Sequence, residues 1–457
     1  MTSRNLTTGP VWRALAAVSA PMTFGIFAVL SVGLVDAYFL GQLGNAPLAA
    51  VGFIYPVTTA LTSLAIGLSA GANAAISQSL GKEEEGDTPQ RLSLHATVIG
   101  FALSIVVAMV FVSSAGTLFG WMGASDAPLK EAKSYVPFWS LSFPFLVLMM
   151  ILNAAFRAHG DGSTSSIIMI LAAVVNIALT PLFIFGWGPV AGLGTEGAAV
   201  ATAIGRGIAC GIAIWWAWRS GVLTLCSSIF DGLAGSVRDI FSVGLPAAFS
   251  NAINPAGMAL VTAAVATLGD AAVAGFGAAT RVQSVAVVVL LALSAGIGPV
   301  VGQNWGADEQ GRARRAVGLS WMICVVYGVV LGVILALFAE PVAGLFAEGE
   351  ARDFAAGYLR VVGWSLFGYG IVITTNAAMN ARSKAVWSMG LSLGRIFLVY
   401  VPVAWAGAVL FGYNGILAAA VAANVLAVSA AWYCAASTGL TPQFRARDKA
   451  VPQAAKG

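Results

Sequence analysis

Apolar residues run in long blocks along this chain, and polar residues collect in the short gaps between them. Twelve blocks reach the roughly 20 residues that a helix needs to cross a bilayer. They fall near 14–40, 47–79, 92–120, 133–156, 164–187, 196–218, 244–268, 271–303, 314–338, 353–379, 385–411 and 414–438. Several exceed that length, so tilt, kinks or extension beyond the lipid are expected. Blocks this long exclude a membrane β-barrel, whose strands are short and alternating. The pattern predicts an all-α integral membrane protein of twelve spans.

The blocks repeat. A shift of 225 residues lays Leu68-Ser69-Ala70-Gly71 on Leu293-Ser294-Ala295-Gly296, Gln78 on Gln303, Gly81 on Gly306, Pro21 on Pro246 and Phe24 on Phe249. At a slightly different offset Asn153-Ala154-Ala155 matches Asn376-Ala377-Ala378, and Gly197 matches Gly415. Each copy holds six spans. An even number keeps both copies in one orientation, so a pseudo-two-fold axis along the membrane normal should relate two six-helix lobes, with a substrate site between them. The expected division is 1–218, a linker at 219–243, and 244–457. Ile240 and Phe241 interleave with Arg238 and Asp239 in that linker, which suggests a short amphipathic helix on the membrane surface.

Composition agrees. The chain of 457 residues is 59% hydrophobic and 9% charged, against about 25% charged in soluble domains. Sixteen Lys and Arg residues, from Arg4 and Arg13 through Arg157 and Arg382 to Lys456, fall on the side of the termini; only Lys130, Lys133 and Arg352 fall opposite. This asymmetry predicts cytoplasmic termini and accounts for the net charge of +4 without a nucleic-acid partner. Pro21 follows Ala17-Val18-Ser19-Ala20 and the apolar run continues, which argues against a cleaved leader. Cys210, Cys226, Cys324 and Cys434 lack ligand spacing and read as small core residues, and no metal site is expected from them. His95 and His159 lie beside predicted cytoplasmic ends with no nucleophile or metal motif nearby, so no enzyme is expected.

Asp36 lies deep in the first span, where a charge costs roughly 2.5–3.5 kcal/mol on insertion scales. An acid there can take up a proton or a sodium ion, or neutralise a cationic substrate. Its repeat partner is Val261, so the charge belongs to one lobe alone. A structural acid paired with Arg206, Arg281 or Arg395 is the competing reading. Pro21, fifteen residues earlier, removes a backbone hydrogen bond and can kink the helix that carries the acid. Asn176 and Thr180 share a helix face and, with Thr202, offer neutral oxygens for a cation.

The stretch Val35-Asp36 through Gly41-Gln42-Leu43-Gly44 resembles the V-D-x-x-x-x-G-x-L-G signature of the multidrug and toxic compound extrusion (MATE) family. Pro21-Met22, Arg157-Ala158-His159-Gly160-Asp161, the segment from Asn176 through Pro181 to Gly186, and Gly197-Ala198-Ala199-Val200-Ala201-Thr202 resemble further family stretches in the right order. The resemblance implies a V-shaped carrier in a bacterial inner membrane. It implies export of drug- or toxin-like organic compounds, often cationic, in exchange for inward protons or sodium. The lack of further acids in spans 7 and 10 points to the DinF-like subgroup. The family often has a second aspartate where this chain has Thr180, which favours the proton over sodium. No cofactor is implied beyond the coupling ion, lipid is the one macroscopic partner, and a monomer is expected. Tyr38, Asn153, Gln283 and Asn376, beside the cation residues, are the candidate lining of the substrate cavity, with Phe and Met supplying a permissive apolar wall. A major-facilitator carrier does not fit, because the loop after span 2 reads Gly81-Lys82-Glu83-Glu84-Glu85-Gly86-Asp87. A lipid-linked oligosaccharide flippase of the same superfamily is the remaining alternative; it would be expected to show a more cationic central cavity.

Overall fold

The computed structural model describes residues 5–82, 88–123, 126–224 and 231–444. Cys226, Arg4 and the basic tail from Arg445 to Lys456 lie outside the described residues, as do positions 83–87 of the acidic loop.

Among the described residues, twelve helices are long and apolar enough to cross a membrane. In the first half they are α1 (Val11–Gly41), α2 (Asn45–Gly81), α3 (Thr88–Trp121), α4 (Asp126–Ala158), α5 (Gly162–Phe185) and α6 (Thr195–Arg219). A two-stranded turn, β1 (Gly186–Trp187) with β2 (Val190–Ala191), separates α5 from α6. The second half has α7 (Leu233–Ala266), α8 (Asp270–Ala286), α9 (Val288–Gly306), α10 (Gln310–Leu337), α11 (Ala339–Ala343), α12 (Gly349–Val362), α13 (Leu366–Ala381), α14 (Ala385–Leu393), α15 (Val401–Phe411) and α16 (Tyr413–Ser437). Punctuation is local. Gly160 takes a left-handed φ of 80°, and Asp161 caps α5 by accepting from the Thr164 backbone N–H at 2.9 Å. The Gly-Asp pair of the span-4 turn is therefore a helix joint.

Three expectations change. The eighth apolar block is broken at Val287, and the hydroxyl of Tyr327 donates to the Ala286 carbonyl at 2.7 Å, supplying a bond to a carbonyl beside the break. The tenth and eleventh blocks are interrupted by a 3₁₀ turn at Gly363–Ser365 and a π-helical stretch at Gly394–Tyr400. The expected surface helix in the linker is instead the start of α7. Ile240 there is buried against the N-terminal lobe rather than lying on a membrane surface.

Two large apolar clusters hold the halves together. They cross at the base: Leu15 and Val18 of α1 join the C-terminal cluster, while Ile240 of α7 joins the N-terminal one. Glycines make this crossing possible. A Cβ on Gly67 would meet the Gly244 carbonyl at 2.3 Å, one on Gly71 the Ile240 carbonyl at 2.2 Å, and one on Gly296 the Ser19 hydroxyl at 2.0 Å. These approaches lie in the terminus-side halves of α1, α2 and α7 and at the middle of α9, so the lobes are joined on that side. Two repeat-related glutamines stitch the same end. Gln78 donates to the Ala381 carbonyl at 2.5 Å, and Gln303 donates to the Ala158 carbonyl at 2.6 Å.

Candidate functional site

Asp36 sits in α1 in the N-terminal lobe, half-buried. The Thr180 hydroxyl of α5 donates to its Oδ1 at 3.0 Å. Thr180 lies 3.5 Å from Asn176 Oδ1 one turn earlier, and Asn176 Nδ2 donates to Thr202 of α6 at 3.0 Å. Thr202 in turn donates to the Ala198 carbonyl. The four candidate cation residues therefore form one connected group across three helices. Gly205 lets α6 approach, since a Cβ there would lie 3.3 Å from the Asn176 backbone nitrogen.

Among the described residues Asp36 makes no ion pair; the pairs given by the structure join Glu340 to Arg352 and Arg360. Arg206 comes within electrostatic reach of Asp36, but its guanidinium donates to Ser142 at 2.7 Å and faces the Trp139 ring. Arg281 is exposed, and Arg395 bonds amides of the other lobe. Tyr135 of α4, which the pattern of the sequence did not single out, also faces Asp36 and packs on the cluster of Leu40, Ile184 and Ala198. Nothing in its spacing distinguishes it from the other aromatics of that block.

Val in place of Thr180 keeps the shape and removes the donor to Asp36. A hydrogen bond to a charged group contributes about 1.5–3 kcal/mol. Ion-driven transport by Thr180→Val should fall severalfold and that by Thr180→Ser should not, as read from efflux rates; equal rates in all three proteins would remove Thr180 from the site.

A cavity of about 460 Å³ opens between the lobes. Asn153 and Asn376 both line it, as expected, and each keeps a buried side-chain oxygen without a hydrogen-bond partner. Asn73, Asn251, Asn254 and Asn380 add four more carboxamides. Met22, Met149, Met150 and Met169 share the apolar wall with aliphatic residues such as Ile26, Leu146 and Ile373, and among the described residues no phenylalanine lines it. Tyr38 does not line this cavity: it lies 65% exposed, more than roughly 100° around α1 from Met22 and Ile26, which do. Gln283 lies in a separate pocket of the C-terminal lobe. Pro21 sits within an unbroken α1, and its carbonyl accepts from the Ser166 hydroxyl at 2.5 Å.

The charge of the cavity differs from expectation. Among the described residues no carboxylate lines it, while Arg157 does. The sequence reading placed Arg157 among loop charges; it belongs to the last turn of α4 and donates to Ser165 at 3.2 Å, with its Nε unpartnered. The histidines are absorbed by packing. His95 bonds Ser236, and His159 meets the Ala155 carbonyl, with burial lowering its pKa so that it stays neutral at neutral pH.

Comparison with known proteins places this architecture. The MatE family model matches residues 21–182 and 246–406, once in each half. The chain is 33% identical over 434 residues to a protein of Shewanella oneidensis named FAD transporter, covering 94% of this chain and 95% of that one. It is 26% identical to the multidrug export protein MepA of Staphylococcus aureus, over 92% of this chain and 93% of the relative. The crystal structure of the Vibrio cholerae MATE transporter VcmN in its bent form superposes with a TM-score of 0.88 at 27% identity, covering 97% of this chain and all of that one.

Proposed function

This chain belongs to the MatE family of multi-pass membrane transporters, and on that premise we propose that it is a secondary active exporter of small organic compounds, driven by inward protons that bind at Asp36. The observation that carries this reading is the Asp36 carboxylate, inside one lobe, bonded to a hydroxyl and, among the described residues, free of any ion pair. A structural acid would be expected to hold a guanidinium. Proton coupling is preferred to sodium because the neighbours of Asp36 are neutral: the Thr180 hydroxyl donates a hydrogen bond to the carboxylate and the Asn176 amide is held by Thr202. Hard cations favour sites richer in carboxylates. We place the protein in a bacterial plasma membrane with both termini cytoplasmic, supported by the basic bias of that side.

The cavity favours a polar neutral or anionic compound, because six carboxamides and Arg157 line it and, among the described residues, no acid does. The Shewanella oneidensis relative, whose name gives it a substrate with a pyrophosphate, agrees with that polarity. Charge counting follows. Exchange of one inward proton for one outward monoanion carries two positive-charge equivalents inward. The membrane potential then adds about 4.6 kcal/mol per 100 mV, twice the value for one charge.

Proteoliposomes test both parts. A pH gradient should drive flavin export, and a sodium gradient alone should not. A valinomycin-set potassium potential that makes the proposed cytoplasmic face negative should accelerate export of a flavin phosphate. Sodium-driven export would replace the proton, and indifference to the potential would remove the anionic substrate.

A further inference from the structure

The C-terminal lobe holds a second pocket of about 270 Å³, beside the central cavity and sharing Asn254, Leu291 and Tyr369 with it. Arg395 lies in its wall, 9% exposed. Its Nη2 donates to Asn254 Oδ1 at 2.5 Å and its Nη1 to Asn424 Oδ1 at 3.2 Å, and the Tyr369 ring stands 5.3 Å away. Every one of these partners is neutral. The buried Nε has no partner, and among the described residues no carboxylate lines the pocket. A guanidinium offers five donors and does not deprotonate in proteins, so a buried positive charge here is left without a counter-charge.

The surroundings hold it there. Arg395 sits in the π-helical stretch just before Pro402, whose ring lacks a backbone donor and crowds the preceding turn. Gly257, one turn past Asn254 on α7, leaves the space that Ile396 fills, since a Cβ on Gly257 would lie 2.1 Å from it. Asn424 is oriented by donating to Ser365 at 2.9 Å, which turns its oxygen to Arg395. Across the pocket the oxygen of Gln283 accepts from Tyr358 at 2.8 Å, which leaves the Gln283 amide NH₂ for a ligand.

We propose that this pocket is an oxyanion subsite, in which Arg395 receives the phosphate or carboxylate group of a transported compound whose body lies in the central cavity. This rests on the exporter reading and specifies its substrate class. The pocket is too small for a dinucleotide, but it suits one oxyanion arm, and the shared wall at Asn254 and Tyr369 gives the arm a way in. The chemistry would equally fit an anionic lipid headgroup, so the test separates the two sources.

The probes are riboflavin and riboflavin 5′-phosphate, which differ by the oxyanion alone, with binding read from flavin fluorescence on the full chain in phosphatidylcholine nanodiscs. Wild type should prefer the phosphate ester by about tenfold or more, the scale of a charge-assisted hydrogen bond. Arg395→Gln should abolish that preference, and Arg395→Lys should restore part of it. The same preference should persist in Asp36→Asn, so that loss of coupling and loss of the subsite are read separately. An equal affinity for the two probes in wild type, or equal loss of both in Arg395→Gln, would overturn the proposal. So would phosphatidylglycerol displacing the phosphate ester from wild type while sparing Arg395→Gln, which would assign the pocket to lipid. If Arg395→Gln does not fold, competition of inorganic phosphate with the ester but not with riboflavin, in wild type, decides the same question.

Discussion

Asp36→Asn should abolish gradient-driven export while leaving the protein folded and able to bind its substrate. The side chains have nearly the same shape, and the Thr180 hydroxyl can still donate to an amide oxygen at that position. What disappears is the exchangeable proton. An ion can drive a conformational equilibrium only through its differential affinity for the two states. Without a titrating group in the lobe that difference vanishes, and the accumulation ratio should collapse to that of passive exchange. Efflux under an imposed pH gradient should fall about tenfold or more in the variant, with substrate binding in detergent within about twofold of wild type. A variant that also loses binding would place Asp36 in the substrate site instead of the coupling site.

The second large effect is expected at the crossing of α2 and α9. A Cβ on Gly81 would lie 2.0 Å from the Gln303 carbonyl, and one on Gly306 would lie 2.2 Å from the Gln78 carbonyl. Both obstacles are backbone, so neither can swing aside. The same two glutamines carry the bonds that tie each lobe to the other at this end. Gly81→Val and Gly306→Val should therefore part the lobes on the terminus side and hold the carrier there, with transport lost because it cannot close again. A cysteine placed at Ala295, on the cavity wall, reports the opening. Cys210, Cys324 and Cys434 are buried, and Cys226 is first replaced. A membrane-impermeant maleimide added from the terminus side should label Ala295→Cys in the valine variants and spare it in the parent. Equal labelling of parent and variants would mean that this end is not sealed by the glycine crossing.

Much of this architecture was legible in the sequence, because membrane spans announce themselves by length and apolarity alone. The repeat carried further: Gln78 and Gln303 align by simple shift and prove to make equivalent bonds, each to the opposite lobe. The cation residues were also readable, since Asn176 and Thr180 share a face by spacing and Asp36 is conspicuous in an apolar run. What stayed hidden depends on neighbours distant in the chain. The break at Val287 has no proline or glycine to mark it and is accompanied by a hydroxyl from α10. Ile240 looked amphipathic because its partner, Gly71, is about 170 residues away and leaves space for α7 to settle against α2. Tyr38 was misplaced because it lies on a different side of α1 from Met22 and Ile26, whose facing depends on the opposite lobe. The sign of the cavity was missed for a related reason. Asp36, the charge that stood out, belongs to one lobe's interior, whereas Arg157, one residue before the helix end, turns inward and sets the polarity between the lobes.

Proton and substrate movements recorded together in one vesicle preparation test the coupling at Asp36 most directly. With a pH-sensitive dye trapped on one side and flavin phosphate efflux followed on the other, the wild-type protein should move protons against substrate in a fixed ratio. Each flux should stop when the other is withheld, and both should stop in Asp36→Asn. Substrate efflux that proceeds with no proton counter-movement, or a proton flux undiminished in the variant, would contradict the account.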